Sequence, residues 1–77
     1  MSLPTQYYLT FKPNNCGEYD VYESHRCQEK GCFWTTEQPV TTCIPGNEAK
    51  FVEDYNKNLI EGYVCGYEVE EYIEVEE

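Results

Sequence analysis

The sequence is poor in basic residues and in histidine, and both shortages limit what the protein can do. Its 77 residues hold five lysines and arginines against 15 aspartates and glutamates, giving a formal charge of −10. Such a charge repels nucleic acid and anionic membranes, so we expect neither as a direct ligand. The single histidine, His25, lies between Ser24 and Arg26 in no catalytic motif. A solitary histidine of this kind is typical of a surface residue.

Long apolar stretches and known catalytic motifs are also missing. The longest apolar runs span about three residues, whereas a membrane-spanning helix needs about 18, so we expect neither a membrane span nor a signal peptide. There is no glycine-rich phosphate loop, no HExxH motif and no calcium-loop spacing. The chain is also short for a formed pocket that holds several catalytic groups. We therefore predict a protein that is not an enzyme and that needs no cofactor.

What is present favours one folded domain over residues 1–77. The composition is 40% hydrophobic and 16% aromatic, which argues against disorder despite the charge. Eight tyrosines contribute, because each can bury its ring while its hydroxyl stays in water. A chain of this length has a thin core, and such domains often need disulfides, a metal or oligomerisation for stability.

Alternation and turn residues predict a β-hairpin near the start. In residues 6–11 the apolar side chains of Tyr7, Leu9 and Phe11 share one face, and residues 12–17 are dense in turn formers. The alternation resumes over residues 18–24, with Tyr19 and Val21 inward. Residues 32–36 and 40–44 are two further short β-prone runs.

Helical spacing follows in residues 47–61. Asn47 suits the N-cap position, Phe51, Tyr55 and Leu59 recur at helical intervals, and Gly62 suits the position after the helix. The predicted fold class is α+β, a small antiparallel β-sheet with one helix packed on it: a hairpin, short strands, the helix and a C-terminal strand.

Residues 61–77 carry seven carboxylates and no base, and from Tyr67 they alternate with apolar side chains. This pattern predicts a half-buried strand whose exposed face holds charges about 6.6 Å apart. We expect these carboxylates to bind a basic protein surface, while simple solubility is the competing interpretation. The predicted partner-binding residues are Glu68, Glu70, Tyr72, Glu74 and Glu76. The predicted apolar face comprises Tyr63, Cys65, Tyr67, Val69, Ile73 and Val75.

Five cysteines leave three interpretations open. Disulfides would staple the domain, with Cys65 as the natural unpaired thiol of an odd number. Zinc would use the C-x4-C of Cys27 and Cys32 together with His25, Cys16 and Cys43, although the usual C-x2-C pair is missing. Alternatively, all five are reduced cysteines that act as small apolar residues.

Residues 15–17, 27–34 and 43–45 resemble the trefoil module of secreted mucosal peptides and glycosidases. The first of the six trefoil cysteines is absent, and Phe33 stands where the second of an adjacent pair belongs. Those two cysteines pair with each other in the family, so the resemblance implies the disulfides Cys16–Cys32 and Cys27–Cys43. It also implies a secreted, disulfide-stapled interaction module in which Phe33 and Trp34 line a groove.

The start of the chain contains a pattern made by the residues Met1, Ser2, Pro4, Thr5, Thr10, Pro13, Asn15, Gly17, Tyr19 and Val21. This pattern resembles the N-terminal hairpin of a phage-encoded anti-CRISPR protein that inhibits the type I-F surveillance complex. This resemblance implies a viral inhibitor in the host-cell cytoplasm, a location that also follows if Met1 is the native start. Taken with the charge, it leads us to expect an acidic protein that covers a basic, nucleic-acid-binding surface of a partner complex by mimicking phosphate charge.

Overall fold

A computed structural model describes residues 4–27 and 33–70 of the chain. The strands form one sheet in the order β3-β2-β1-β4. The predicted α+β class, with one helix packed on a small sheet, is confirmed. Along the chain the elements are β1 (Thr5–Pro13), β2 (Tyr19–Arg26), β3 (Gln38–Cys43), α1 (Glu48–Lys57) and β4 (Gly62–Val69).

The sheet is mixed, so the expectation of a wholly antiparallel sheet is wrong. β2 runs antiparallel to both β1 and β3, and the predicted hairpin is confirmed by an unbroken register from Gln6↔Arg26 to Pro13↔Tyr19. β4, however, lies parallel to β1 at the far edge of the sheet. Parallel strands cannot be joined by a tight turn, and α1 forms the crossover that carries the chain from β3 to β4.

The core lies between the sheet and α1, on what we call the helix face of the sheet. Leu9, Phe11 and Val21 are fully buried there, in agreement with the alternation of the hairpin. The Phe11 ring meets the Phe51 ring of α1 edge to face, with the centroids 5.8 Å apart. Burial of this small apolar cluster is the main source of stability that the fold provides.

The helix is shorter than the predicted residues 47–61. Asn47 is the N-cap residue, but its side chain makes no capping bond, and the Glu48 carboxylate instead accepts the Gly46 N–H. At the other end, the Asn58 side chain donates to the Asp54 carbonyl at 2.9 Å and marks the end of α1. Leu59 therefore follows the helix instead of belonging to its apolar face.

The β-prone run at residues 32–36 is not a strand in its described part, residues 33–36. This segment runs beside β2, to which it is tied by the Thr35 N–H, which donates to the His25 carbonyl at 2.9 Å. In the ranges 4–27 and 33–70, no helix is long and apolar enough to cross a bilayer.

Candidate functional site: the second face of the sheet

The face of the sheet opposite α1, called the second face here, carries polar and aromatic side chains. Tyr8 and Thr10 of β1 and Ser24 of β2 lie on it, because they alternate with the buried residues of the helix face. Residues 33–37 run beside β2, and the side chains of Trp34 and Glu37 reach over this face. The Trp34 ring meets Tyr8 there, with 6.1 Å between ring centroids. Beneath these side chains Thr10 is 3% exposed and Ser24 is 7% exposed, although both are polar.

Three glutamates lie close together on the second face, and one of them pairs with a lysine. Glu37 accepts a hydrogen bond from Thr10 Oγ1 at 3.3 Å and pairs with Lys12 Nζ at 2.9 Å. Glu68 is the direct neighbour of Thr10 on β4. Glu70 continues the strand pairing, since its N–H donates to the Phe11 carbonyl at 2.8 Å. We refer to Glu37, Glu68 and Glu70 as the carboxylate patch.

The patch is negative even after its internal ion pair is counted. The bond to Glu37 raises the pKa of Lys12, and the nearby Glu70 charge raises it further. Lys12 also lies 4.7 Å from the centre of the Tyr22 ring, which suits a cation. Among the described residues, no base forms an ion pair with Glu68 or Glu70, so their carboxylates are available to an incoming cation.

The predicted acidic strand face is partly within the described residues. Tyr67 and Val69 lie on the helix face, whereas Glu68 lies on the second face. Glu70 is on the same face as Glu68, as the alternation predicts. Tyr72, Glu74 and Glu76 fall outside the described residues. Glu37 was missed as a member of the patch, because it lies in a coil segment where no periodicity assigns a direction to its side chain.

The apolar face predicted for the last strand is wrong at Tyr63 and Cys65. Tyr7 pairs with Val64 and Tyr8 pairs with Gly66, so Cys65 is an extra residue at a β-bulge. The extra residue interrupts the alternation of side chains between the two faces. As a result, Val64 lies on the helix face, and Tyr63 and Cys65 lie on the second face. Gly66 is the signal for this feature, since a glycine inside a strand often marks a bulge.

An apolar groove of about 360 Å³ lies beside the carboxylate patch. A side chain on Gly66 would place its Cβ 3.3 Å from the Tyr8 ring, so the glycine lets this ring lie across β4. Glu68 lies two residues beyond Gly66 on the same side of β4, next to the groove. Burial raises the pKa of Tyr8, and the charge of Glu68 raises it further. We call this the aromatic groove; it is lined by Tyr8, Ser24, Trp34 and Cys65.

The second face already holds one arginine against the groove's tryptophan. The Arg26 guanidinium carbon lies 5.0 Å from the centre of the Trp34 ring. Its Nε–H donates to Gln6 Oε1 at 2.6 Å, which fixes the orientation of the guanidinium plane. Trp34 is 40% exposed and Phe33 is 79% exposed, so neither aromatic ring belongs to the core.

The described cysteines are free thiols. Cys16 and Cys65 are exposed, Cys27 is half-buried, and Cys43 is buried, with burial raising the pKa of its thiol. The pairing Cys27–Cys43 does not fit this fold: Cys43 lies opposite Tyr19 at the start of β2, whereas Cys27 follows its end. Eight strand residues extend over roughly 26 Å, and a disulfide needs its Cα atoms within about 7 Å.

The remaining cysteine, Cys32, lies outside the described residues, so the pairing Cys16–Cys32 stays a prediction. In the described ranges, no group of three or more His, Cys, Asp or Glu side chains is arranged to hold a metal ion.

His25 belongs to a polar cluster on the helix face. Its Nδ1 lies 3.5 Å from Glu23 Oε1 and 3.4 Å from Thr35 Oγ1. Both partners therefore approach the same ring nitrogen, whereas a catalytic relay needs the base and its orienting group on opposite nitrogens. Glu23 also accepts a hydrogen bond from the Tyr55 hydroxyl of α1. The arrangement thus ties the helix to the sheet.

Comparisons with protein-family models, with curated proteins and with solved structures found no match for this chain.

Proposed function

We propose that this protein is an acidic inhibitor that occupies a basic, nucleic-acid-binding surface of a larger partner complex. The carboxylate patch carries the proposal. It holds three carboxylates against the single ammonium of Lys12, on a sheet face that α1 leaves open. The formal charge of −10 adds a long-range field that attracts a basic partner and speeds the encounter.

The mechanism is substitution of carboxylates for phosphates. A basic surface that binds nucleic acid presents arginine and lysine donors, and these form charge-assisted, often bidentate hydrogen bonds with carboxylates. Glu68 and Glu70 lie on consecutive same-side positions, which a strand separates by about 6.6 Å. Because β1 supports this strand through a ladder of backbone bonds, the charges are held in place before the partner arrives.

This mode of action is the one that the resemblance to anti-CRISPR proteins implies. Under the proposal, the protein acts in the cytoplasm of an infected host cell and binds a protein surface without contacting nucleic acid or a membrane. It performs no chemical step, so it needs no metal or cofactor. The predicted continuation of the surface through Tyr72, Glu74 and Glu76 stays part of the proposal.

The test is a displacement assay on a defined basic probe. A fluorescent single-stranded DNA is bound to an oligoarginine peptide, and the protein is added at about 0.1 M salt, where charges act over about 10 Å. We expect the protein to release the DNA, and we expect the effect to vanish toward 1 M salt, where this range is about 3 Å. Glu68→Gln with Glu70→Gln should weaken release about tenfold, because two patch charges disappear while the shape is kept.

The matched control is Asp54→Asn with Glu61→Gln. Both side chains are exposed, and neither forms an ion pair within the described residues, so the control changes net charge by the same amount. It should weaken release less than twofold. Equal weakening by the two double variants would mean that only net charge matters, and the proposed function would then be wrong.

A further inference from the structure

An arginine and a glutamate flank the residues that line the aromatic groove. Along β1 the second-face positions are Gln6, Tyr8 and Thr10, which neighbour Arg26, Ser24 and Glu68 respectively. Consecutive same-face positions are about 6.6 Å apart, so Arg26 and Glu68 are separated by roughly 13 Å along the strands. A ligand in the groove therefore meets apolar walls along its length and a negative charge at the Glu68 end.

Few side chains can both pack against apolar walls and bind a carboxylate. An arginine presents a three-carbon stem that packs on apolar surface and a planar cation that stacks on aromatic rings and bonds carboxylates. A sugar would need several directed polar groups. In the groove, Ser24 Oγ already faces the Tyr8 carbonyl at 3.5 Å.

The molecule contains an internal example of this recognition. The Arg26 guanidinium carbon lies 5.0 Å from the centre of the Trp34 ring, and its Nε–H donates to the side-chain amide oxygen of Gln6. The volume of about 360 Å³ is near the small end of the range for ligand sites, which suits one side chain. We propose that the aromatic groove receives an arginine side chain of the basic partner, its stem between Tyr8 and Trp34 and its guanidinium at Glu68. This inference rests on the proposed function and adds the residue type that the surface selects.

Trp34 makes the proposal directly measurable, because it is the only tryptophan in the sequence. Oligoarginine and oligolysine peptides of equal length are titrated into the protein while the tryptophan emission is followed. We expect the arginine peptide to bind about three to ten times more tightly and to change the emission until saturation. The lysine peptide should bind through charge alone and leave the emission unchanged.

Tyr8→Leu removes one wall of the groove and should reduce the preference for arginine to less than twofold, without changing the binding of lysine. Tyr22→Leu is the matched control, since Tyr22 is a half-buried tyrosine on the same face but outside the groove, and it should keep the full preference. Circular dichroism checks that both variants fold. If Tyr8→Leu does not fold, Trp34→Leu replaces it, with binding followed by the anisotropy of labelled peptides.

The possible results separate this inference from the proposed function. Equal binding of both peptides with unchanged emission would overturn the arginine groove and leave the acidic inhibitor standing. No binding of either peptide would overturn both. An unaltered arginine preference in Tyr8→Leu would also overturn the groove. A response of the emission to maltotriose without a response to arginine would replace it with a carbohydrate site.

Discussion

The two faces of the sheet are built from the same strands, yet they differ in what they bury. On the helix face, Leu9, Phe11 and Val21 have no exposed surface. On the second face, the buried residues Thr10 and Ser24 are polar, while Trp34 stays partly open. Period-two alternation thus lets one strand serve two purposes: odd positions of β1 hold the fold together, and even positions are available for recognition.

The coverings of the two faces differ as well. α1 closes the helix face with Phe51, Val52 and Tyr55. Residues 33–37 cover the second face only with side chains and have no regular structure, held by the bonds of Thr35 to β2 and by the contacts of Glu37. Segments with few backbone bonds open at lower free energy than a packed helix. We therefore expect changes on the helix face to alter stability and changes on the second face to alter binding.

The largest expected effect on stability comes from Phe11→Ala. Phe11 is fully buried and contacts Tyr19, Phe51 and Tyr67, so its loss leaves a cavity at the centre of the core. The free energy of unfolding should fall by about 3–5 kcal/mol, which would unfold a marginal domain. Urea denaturation followed by circular dichroism measures it.

Trp34→Ala is the matching change on the second face. Because this ring is 40% exposed and outside the core cluster, its removal should cost less than half as much as the loss of Phe11. Equal costs would show that the second face contributes to stability as much as the helix face, and the division between the faces would be wrong.

A smaller effect is expected from Tyr55→Phe, which removes only the hydroxyl that donates to Glu23. The loss should be about 1.5 kcal/mol near neutral pH, the lower end of the range for a hydrogen bond to a charged group, because Glu23 is partly exposed. Burial, followed by the bond to Glu23, raises the pKa of Tyr55 well above its ordinary value of 10.0. The unfolded chain therefore releases this proton first.

The difference between the pKa of Tyr55 in the folded and in the unfolded chain determines how its contribution to stability changes with pH. The contribution of Tyr55 is complete below pH 10.0 and declines as the pH rises further, since the unfolded state then binds fewer protons than the folded state. Tyr55→Phe lacks this decline. Unfolding measured at about pH 8 and about pH 11 should show the gap between the two proteins narrowing. A constant gap would mean that the hydroxyl does not link the helix to the sheet.

The smallest effect on stability is expected from Lys12→Gln. The lysine side chain is 37% exposed and its ion pair with Glu37 is at the surface, where such pairs contribute little. The urea midpoint should stay within error. Binding to oligoarginine should tighten instead, because the only ammonium of the carboxylate patch is gone. Weaker binding would indicate that Lys12 is needed to position Glu37, and that the patch is not a simple sum of charges.

Sequence patterns predicted the parts of the fold that depend on interactions between residues close together in the chain. The hairpin, its inward residues and the centre of α1 follow from alternation and helical spacing, and the same alternation oriented Glu68 and Glu70. The parallel pairing of β4, the bulge at Cys65 and the path of residues 33–37 depend on contacts between distant parts of the chain. For that reason Glu37 and Tyr8 were not recognised as members of the site.

The place of β4 in the sheet also sets the order in which the molecule can assemble. Gln6 and Tyr63 bond across 57 residues, whereas the β1–β2 hairpin needs only a short loop. Contacts between distant residues form late and slow the overall folding rate. Glu68, Glu70 and Cys65 take their places on the second face only when β4 pairs with β1. A nascent or partly folded chain in which β4 has not yet paired therefore lacks both the carboxylate patch and the aromatic groove.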